Sequence, residues 1–220
     1  MTATSSSRSC RFLRRALICT LVVAACGGSG SQELHNPEFG VSFTIDADWA
    51  VYDEGQFSGA DLDLGGRAPE RRLDPTWVRG FDGSDEPSPA NVARDDAPAP
   101  QGMARIQVLT EQQRTSVDLA ALRSVHLGFD PVRAERDEPD GPVEILRHED
   151  LSLEGGQHGV RMVVVYDTPG GEVGVVDQTA LLDGANSVLY LLVVGCSEQC
   201  YADNRDTIEE VASSLTFEKR

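Results

Sequence analysis

The side chains that could carry chemistry in this 220-residue chain are four His, five Cys and a surplus of carboxylates, 36 Asp and Glu against 19 Lys and Arg. A nucleophilic serine needs a histidine placed to take its proton. Ser58, in Phe57-Ser58-Gly59, has none nearby in sequence, and there is no G-x-S-x-G elbow and no phosphate-binding P-loop. His35, His126, His148 and His158 form no H-x-H, no H-E-x-x-H and no Cys/His metal spacing. His148-Glu149-Asp150 lies on a predicted strand, where neighbours point to opposite faces. Asp61-x-Asp63-x-Gly65-Gly66 opens like a calcium loop. The fifth and twelfth positions, which need oxygen ligands, are however Gly65 and Arg72. Asp53, Glu54, Asp61 and Asp63 therefore read as an acidic solvated loop, with bound calcium the alternative. The sequence assigns no catalytic residue, no metal site and no cofactor.

Aromatic residues give a different kind of candidate. Trp49, Tyr52, Phe57, Trp77 and Phe81 cluster around one long irregular stretch. Trp49, Tyr52, Trp77 and Phe81 are a candidate ligand cleft, with Arg67, Arg71, Arg72 and Arg79 as anion contacts. The competing reading makes these rings core anchors for a long loop.

The cysteines sort by position. Residues 1–15 carry Arg8, Arg11, Arg14 and Arg15 and no acid, and 16–25 (ALICTLVVAA) are an apolar run of ten. A spanning helix needs about 20 apolar residues. A basic segment followed by a short apolar one is the pattern of a secretory signal peptide. The stretch Val23-Ala24-Ala25-Cys26 resembles the lipobox of bacterial lipoproteins. That resemblance implies a diacylglyceryl group on the Cys26 sulfur, palmitate-type acylation and cleavage that leaves Cys26 first. Arg14-Arg15-Ala16-Leu17-Ile18 also resembles a weak twin-arginine signal.

Loss of 1–25 removes four Arg, Cys10 and Cys19, leaving a formal charge of −21 from the −17 of the full chain. With no polybasic patch, the lipid has to anchor the protein to the membrane. Acyl chains contribute about 0.8 kcal/mol per buried methylene, and two or more anchor stably. Cys196 and Cys200 remain as an even pair for an oxidising compartment. Four apart, they can close a disulfide across one turn. A reactive redox pair and two free thiols are the alternatives.

Length allows one domain of ordinary size or two small ones, and 40% hydrophobic with 25% charged residues fits a folded soluble chain. Residues 26–36 read as a lipidated flexible tether and 37–220 as one domain. Val41, Phe43 and Ile45 alternate with polar residues, a half-buried strand. Residues 53–102 read as a long insertion. Six of the eleven prolines lie between 69 and 100, and the polar run 82–101 predicts a mobile segment. Trp77, Val78 and Phe81 fit one short strand within it. Met103–Thr110 alternates as a strand. Thr115 to Asp118 fits a capping box for a helix over 117–127, stopped by Gly128 and Pro131. Residues 130–142 read as a polar loop.

Four strands follow, Val143–Leu153, Val160–Thr168, Glu172–Leu182 and Ser187–Val194. Gly-rich turns join them, which predicts an antiparallel meander. Val160–Val165 and Val188–Val194 are apolar on both faces and need cover on both sides. A last helix spans Gln199 to Ser214, with Glu209 and Glu210 solvated, and Leu215-Thr216-Phe217 ends as a short edge strand.

This order, an early aromatic strand with Trp49, one helix, a four-strand meander and a C-terminal helix ending in Ser213-Ser214-Leu215-Thr216-Phe217, resembles the PsbP-like superfamily. The resemblance covers 39–52 and 103–217. It implies an α+β fold, a central antiparallel sheet flanked by helices, here with a long irregular insertion. It also implies binding or assembly work, because most members of the superfamily are such factors. A strongly acidic chain is a poor partner for nucleic acid, whose phosphates need a basic surface. The expected function is that of an extracytoplasmic cell-envelope lipoprotein that binds an envelope protein or a small ligand without catalysis. The alternatives are an enzyme acting on cell-envelope material and a purely structural component.

Overall fold

The computed structural model describes residues 30–57, 77–92 and 94–218. Its centre is a seven-stranded antiparallel sheet in the order β3-β4-β5-β9-β8-β7-β6. The strands are β3 (Ala50–Asp53), followed by the one-turn helix α1 (Glu54–Phe57), β4 (Trp77–Asp82), β5 (Gln101–Val108), β6 (Val143–Ser152), β7 (His158–Asp167), β8 (Val173–Leu182) and β9 (Val188–Ser197). A three-stranded sheet, β1 (Ser31–Asn36), β2 (Val41–Asp46) and β10 (Thr216–Phe217), lies over one face in the order β1-β2-β10. The expected α+β class, with an antiparallel sheet between helices, is what the structure shows.

Period-two alternation explains the two cores. Val160, Met162 and Val164 of β7, Val176 and Ala180 of β8, and Leu189, Leu191 and Val193 of β9 pack on one face. Their cover comes from the segment around α3 (Leu119–Ser124) and from Phe129 and Val132. On the other face Leu192, Val194 and Cys196 meet Phe43 and Ile45 of β2, with Ile208, Val211 and Ala212 of the C-terminal helix. Strands buried on both sides must be apolar nearly throughout, which is why β7 and β9 contain such long valine and leucine runs.

Sequence and structure part company at four places. Ser31–Asn36 is a strand where the sequence predicts tether, and it pairs with β2 from Ser31↔Asp46 to Asn36↔Val41. Leu34 is its only apolar residue, so local pattern had no signal to offer, and the pairing comes from β2. The helix expected over 117–127 is present as the shorter α3, and a second helix that the sequence did not predict, α2 (Glu111–Ser116), precedes it. Thr110 and Gln113 form the capping box of α2, and the Asp118 side chain caps α3 by accepting from the Ala121 N–H at 2.8 Å. The polar loop expected at 130–142 contains α4 (Pro131–Asp137), capped by Asp130 with proline in its first turn. Arg123 grips Asp130 with two bonds of 2.7 and 2.8 Å and so joins α3 to α4.

The fourth difference is the run 82–101, read as mobile. The Asp82 carboxylate, 1% exposed, accepts from the Ser84 N–H at 2.9 Å, the Ser88 N–H at 2.8 Å and the Asn91 amide at 2.7 Å. Gln101 donates to the Arg94 carbonyl at 2.8 Å, Ser197 donates to the Ala97 carbonyl at 2.8 Å, and Val92 and Ala97 are buried. Three bonds to one buried acid, bonds from Gln101 and Ser197, and the burial of Val92 and Ala97 together hold the segment. Of the rest of the stretch read as an insertion, 77–81 belongs to β4 of the central sheet and 58–76 lies outside the described residues.

Backbones approach closely where β4, β5 and β9 meet. A Cβ at Gly102 would overlap the Val193 carbonyl oxygen and lie 2.7 Å from the Phe81 ring. Gly102→Ala is expected to destabilise the fold by about 3 kcal/mol. Urea unfolding should show it as a lower midpoint at unchanged slope.

Candidate functional site

Two buried polar clusters stand on opposite faces of the sheet, and adjacent residues of β8 start them. Gln178, 1% exposed, faces α3. Its amide donates to the Leu122 carbonyl at 3.0 Å and its oxygen accepts from the His126 N–H at 3.1 Å. That holds His126, just past α3, against the sheet. The His126 ring meets both oxygens of Asp95 at 3.1 and 3.2 Å. The Tyr166 hydroxyl of β7 donates to the same carboxylate, and the Phe129 ring packs edge-on against Tyr166 at 5.8 Å. Asp95 comes from the ordered 83–100 segment, where the neighbouring Asp96 accepts from the Thr168 hydroxyl at 3.3 Å.

Electrostatics makes this Tyr–Asp–His cluster a closed unit. Burial alone would raise the Asp95 carboxyl. The His126 charge and the bonds from His126, Tyr166 and Gln101 outweigh it and hold Asp95 below the usual carboxylate range. Burial alone would lower the imidazole, but the Asp95 charge and its hydrogen bond win and raise His126 above its ordinary value. Burial, then the Asp95 charge, push the Tyr166 phenol upward. Each partner thus favours the charged form of the other, and the Tyr166 phenol is a further donor to the shared carboxylate. Chemically the cluster can hold a proton on His126. Among the described residues, the bonds of the Asp95 carboxylate, His126 ring and Tyr166 hydroxyl involve no serine, cysteine or threonine side chain.

The second cluster lies under the C-terminal helix α5 (Glu198–Ser213). Arg161 of β7 makes a fork to Asp177 of β8, Nε to Oδ1 at 2.9 Å and Nη2 to Oδ2 at 2.6 Å. Its outer nitrogens reach Glu209 of α5 at 3.0 and 3.1 Å and the Ser213 hydroxyl at 2.9 Å. Arg147 of β6 adds bonds to Glu209 at 2.7 and 3.0 Å. Burial pulls Glu209 upward, but Arg147, Ser213 and Arg161 hold it down at about 2. Burial pushes Asp177 up against the pull of Arg161. Two arginines and two acids neutralise each other, as a buried charge requires. The sequence expected Glu209 to be solvated like Glu210. It belongs instead to this network, because Arg147 and Arg161 lie beneath it on the sheet.

The residues nominated as a ligand cleft are split between the two cores. Trp49 stacks on Phe81 at 5.8 Å, Phe43 sits 5.8 Å from Phe81 and 6.5 Å from Trp77. These three nominated rings pack together in the core under β2, with Phe81 fully buried. Tyr52 faces the other way, beside Val78 and Met103. Arg79 lies over the Trp77 ring at 5.1 Å and pairs with Asp53 at 3.1 Å. Cys26, Ser58, Asp61, Asp63, Arg67, Arg71 and Arg72 lie outside the described residues. Cys196 and Cys200 are at bridging distance, S–S 2.07 Å and Cα–Cα 5.9 Å. Among the described residues no group of three or more His, Cys, Asp or Glu could hold a metal ion. A shallow groove of about 160 Å³ runs between β2 and α5, lined by Gly30, Thr44, Asp46, Thr207 and Glu210.

Sequence reasoning missed both clusters. A polar residue inside an apolar strand, such as Arg161, Asp177 or Gln178, was the available signal, since such a residue must find a partner.

Linkage gives the pH response of the first cluster. A folded-state imidazole raised above its unfolded value stabilises fully below the unfolded value, and that gain is lost as pH rises through the raised one. The depressed Asp95 contributes above its unfolded value and loses its contribution as acid protonates it. Stability should therefore fall on the alkaline side of the ordinary histidine range, and His126→Gln should flatten that limb. Asp95→Ala should cost about 3 kcal/mol at neutral pH and speed amide exchange in 83–100. Urea midpoints across pH check both. An alkaline limb unchanged in His126→Gln would contradict the assignment.

No family model matches this chain, and no curated protein does. Solved structures do show a likeness. The cyanobacterial PsbP (CyanoP) of Synechocystis sp. PCC 6803 is 14% identical, covering 88% of this chain and 96% of its own at a TM-score of 0.45. LpqN of Mycobacterium tuberculosis, described as involved in cell envelope biogenesis, is also 14% identical, covering 86% and 91% at 0.45. The Ran-binding protein Mog1p of Saccharomyces cerevisiae is 10% identical, covering 86% and 96% at 0.40.

Proposed function

We propose that this protein is a lipid-anchored factor of the cell envelope. In this reading a PsbP-like α+β domain is held outside the cytoplasm by acyl chains on Cys26 and works by binding, without catalysis. One observation carries the anchor: basic residues, a ten-residue apolar run, Ala24-Ala25 and Cys26 stand in the order that export and lipidation require. The Cys196–Cys200 pair, at bridging distance, supports export, because such bridges persist in oxidising compartments. The PsbP-like reading rests on element order, an early strand pair, a helical segment, the β6–β9 meander and a terminal helix. Binding is favoured over catalysis by how the buried ionisable groups are used. Asp95, His126, Arg161 and Asp177 all bond to other protein groups across element boundaries, Arg161 also reaching the half-exposed Glu209. The partner is an envelope protein or a small envelope ligand.

Cys26→Ala tests the anchor. The wild-type protein should sediment with membranes and carry an acylated N-terminal cysteine by mass spectrometry. The variant should appear as an uncleaved precursor or in the soluble fraction. Unchanged mass and membrane retention in the variant would sink the reading. Affinity capture from intact envelopes, with the unlipidated form as control, tests the binding role.

A further inference from the structure

We infer that the domain stands on the bilayer in one orientation, with the end that carries Gly30 towards the lipid and the hairpin turns at 153–157 and 183–187 away from it. This rests on the Cys26 anchor proposed above and adds which surface the anchor presents to the membrane.

Gly30 is where the fold takes hold of the chain. Its carbonyl accepts from the Ala47 N–H at 2.8 Å, and β1 continues from it in register with β2. Four peptide units separate the Cα of Cys26 from that of Gly30. Fully extended, they span at most about 14 Å.

The strand registers say which groups share that end. The turn after β2 leads through Trp49 into β3, and Ala50 pairs with Asp82, Asp82 with Gln101 and Gln101 with Gly195. Asp46, Ala47, Asp48 and the ordered 83–100 segment therefore sit at the Gly30 end. At the opposite end Val108 pairs with Val188, and Leu182 pairs with both Leu189 and His158. The two turns there lie side by side, with the Gly184 Cα 3.8 Å from where a Gly156 Cβ would sit.

Ten-residue strands are roughly 33 Å long. To bring Leu153 or Ala185 down to the lipid, Gly30 would have to rise about that far from the anchor. The tether reaches less than half the distance, so the molecule cannot turn over.

The chemistry of the lower end sets the kind of contact. Ala47, Asp48 and Glu210 are exposed there, whereas Val108 and Leu153, two of the four exposed large apolar residues among those described, lie at the far side, at the end of β5 and just after β6. Acid carboxylates do not enter hydrocarbon. The Gly30 end lies against headgroups within the tether's reach and does not insert.

The test uses the full lipidated protein in phosphatidylcholine vesicles, with a photoreactive residue placed at Asp48 or at Ala185. A second pair carries twenty Gly and Ser residues inserted after Gly28. Both probes should leave the circular dichroism spectrum unchanged. With the native tether, lipid crosslinking from position 48 should exceed that from 185 at least fivefold, and the long tether should erase the difference. Equal crosslinking from both positions, or none from either, in protein that still floats with vesicles would overturn the orientation while leaving the anchor intact. Protein that does not float would instead overturn the anchor, and the orientation with it.

Discussion

Burial of the central strands on both faces is the constraint that organises everything else. β7, β8 and β9 are covered on both sides, so a polar residue there needs a protein partner; Arg161, Asp177 and Gln178 find theirs, whereas the Thr179 hydroxyl finds none. β8 shows this at two consecutive positions. Asp177 points to one face and receives the Arg161 fork, which continues to Glu209 on α5. Gln178 points to the other and bonds the backbone around α3. One step along the strand thus ties down both outer layers. Apolar packing supplies most of the energy, but it is tolerant of sliding. These directional bonds fix where each layer lies on the sheet.

The two clusters differ in what pH does to them, and the difference follows from side-chain type. Arginine stays charged at any accessible pH, and Glu209 is held at about 2, so the pairing of Glu209 with Arg147 and Arg161 persists well into acid, while Asp177, raised by burial, is the acid of this face that protonates first. The opposite face relies on His126, a group that changes charge near neutrality. The covering layer it secures includes the 83–100 segment through Asp95. That layer is the one whose attachment to the sheet depends on conditions.

Much of the frame could be read from residue types. The β6–β9 meander follows from alternating valine and leucine runs separated by Gly-rich turns, and double-faced burial follows from their lack of polar alternation. The disulfide spacing was equally open to reading. What failed had no local signature. Ser31–Asn36 has one apolar residue, Leu34, and is a strand only because β2 offers it an edge. The 82–101 run has the composition of a mobile loop. Asp82 overrides that composition by accepting three bonds inside the segment. The aromatic residues were grouped by nearness in sequence, yet Tyr52 lies one strand register from Val51 and so faces the opposite core from Trp49 and Phe81. A period of two separates neighbours that a list of positions keeps together.

The corner between β9 and α5 shows why a small covalent loop is placed there. β9 ends at Ser197 and α5 begins at Glu198, so the chain turns from a central strand into a packed helix with no linker. Ser197 caps the helix by accepting from the Cys200 N–H at 3.4 Å, a long bond that holds the first turn weakly. The helix is then broken at Asn204, whose backbone is non-helical and whose amide donates to the Cys200 carbonyl at 2.9 Å. Between a weak cap and a break, the first turn of α5 would fray on helical bonding alone. A Cys196–Cys200 bridge contributes only about 2 kcal/mol in the chain-entropy model, yet all of it acts on that turn. It fixes the end of β9 to the start of α5, and through Glu209 the helix then carries the Arg147 and Arg161 network to its place on the sheet.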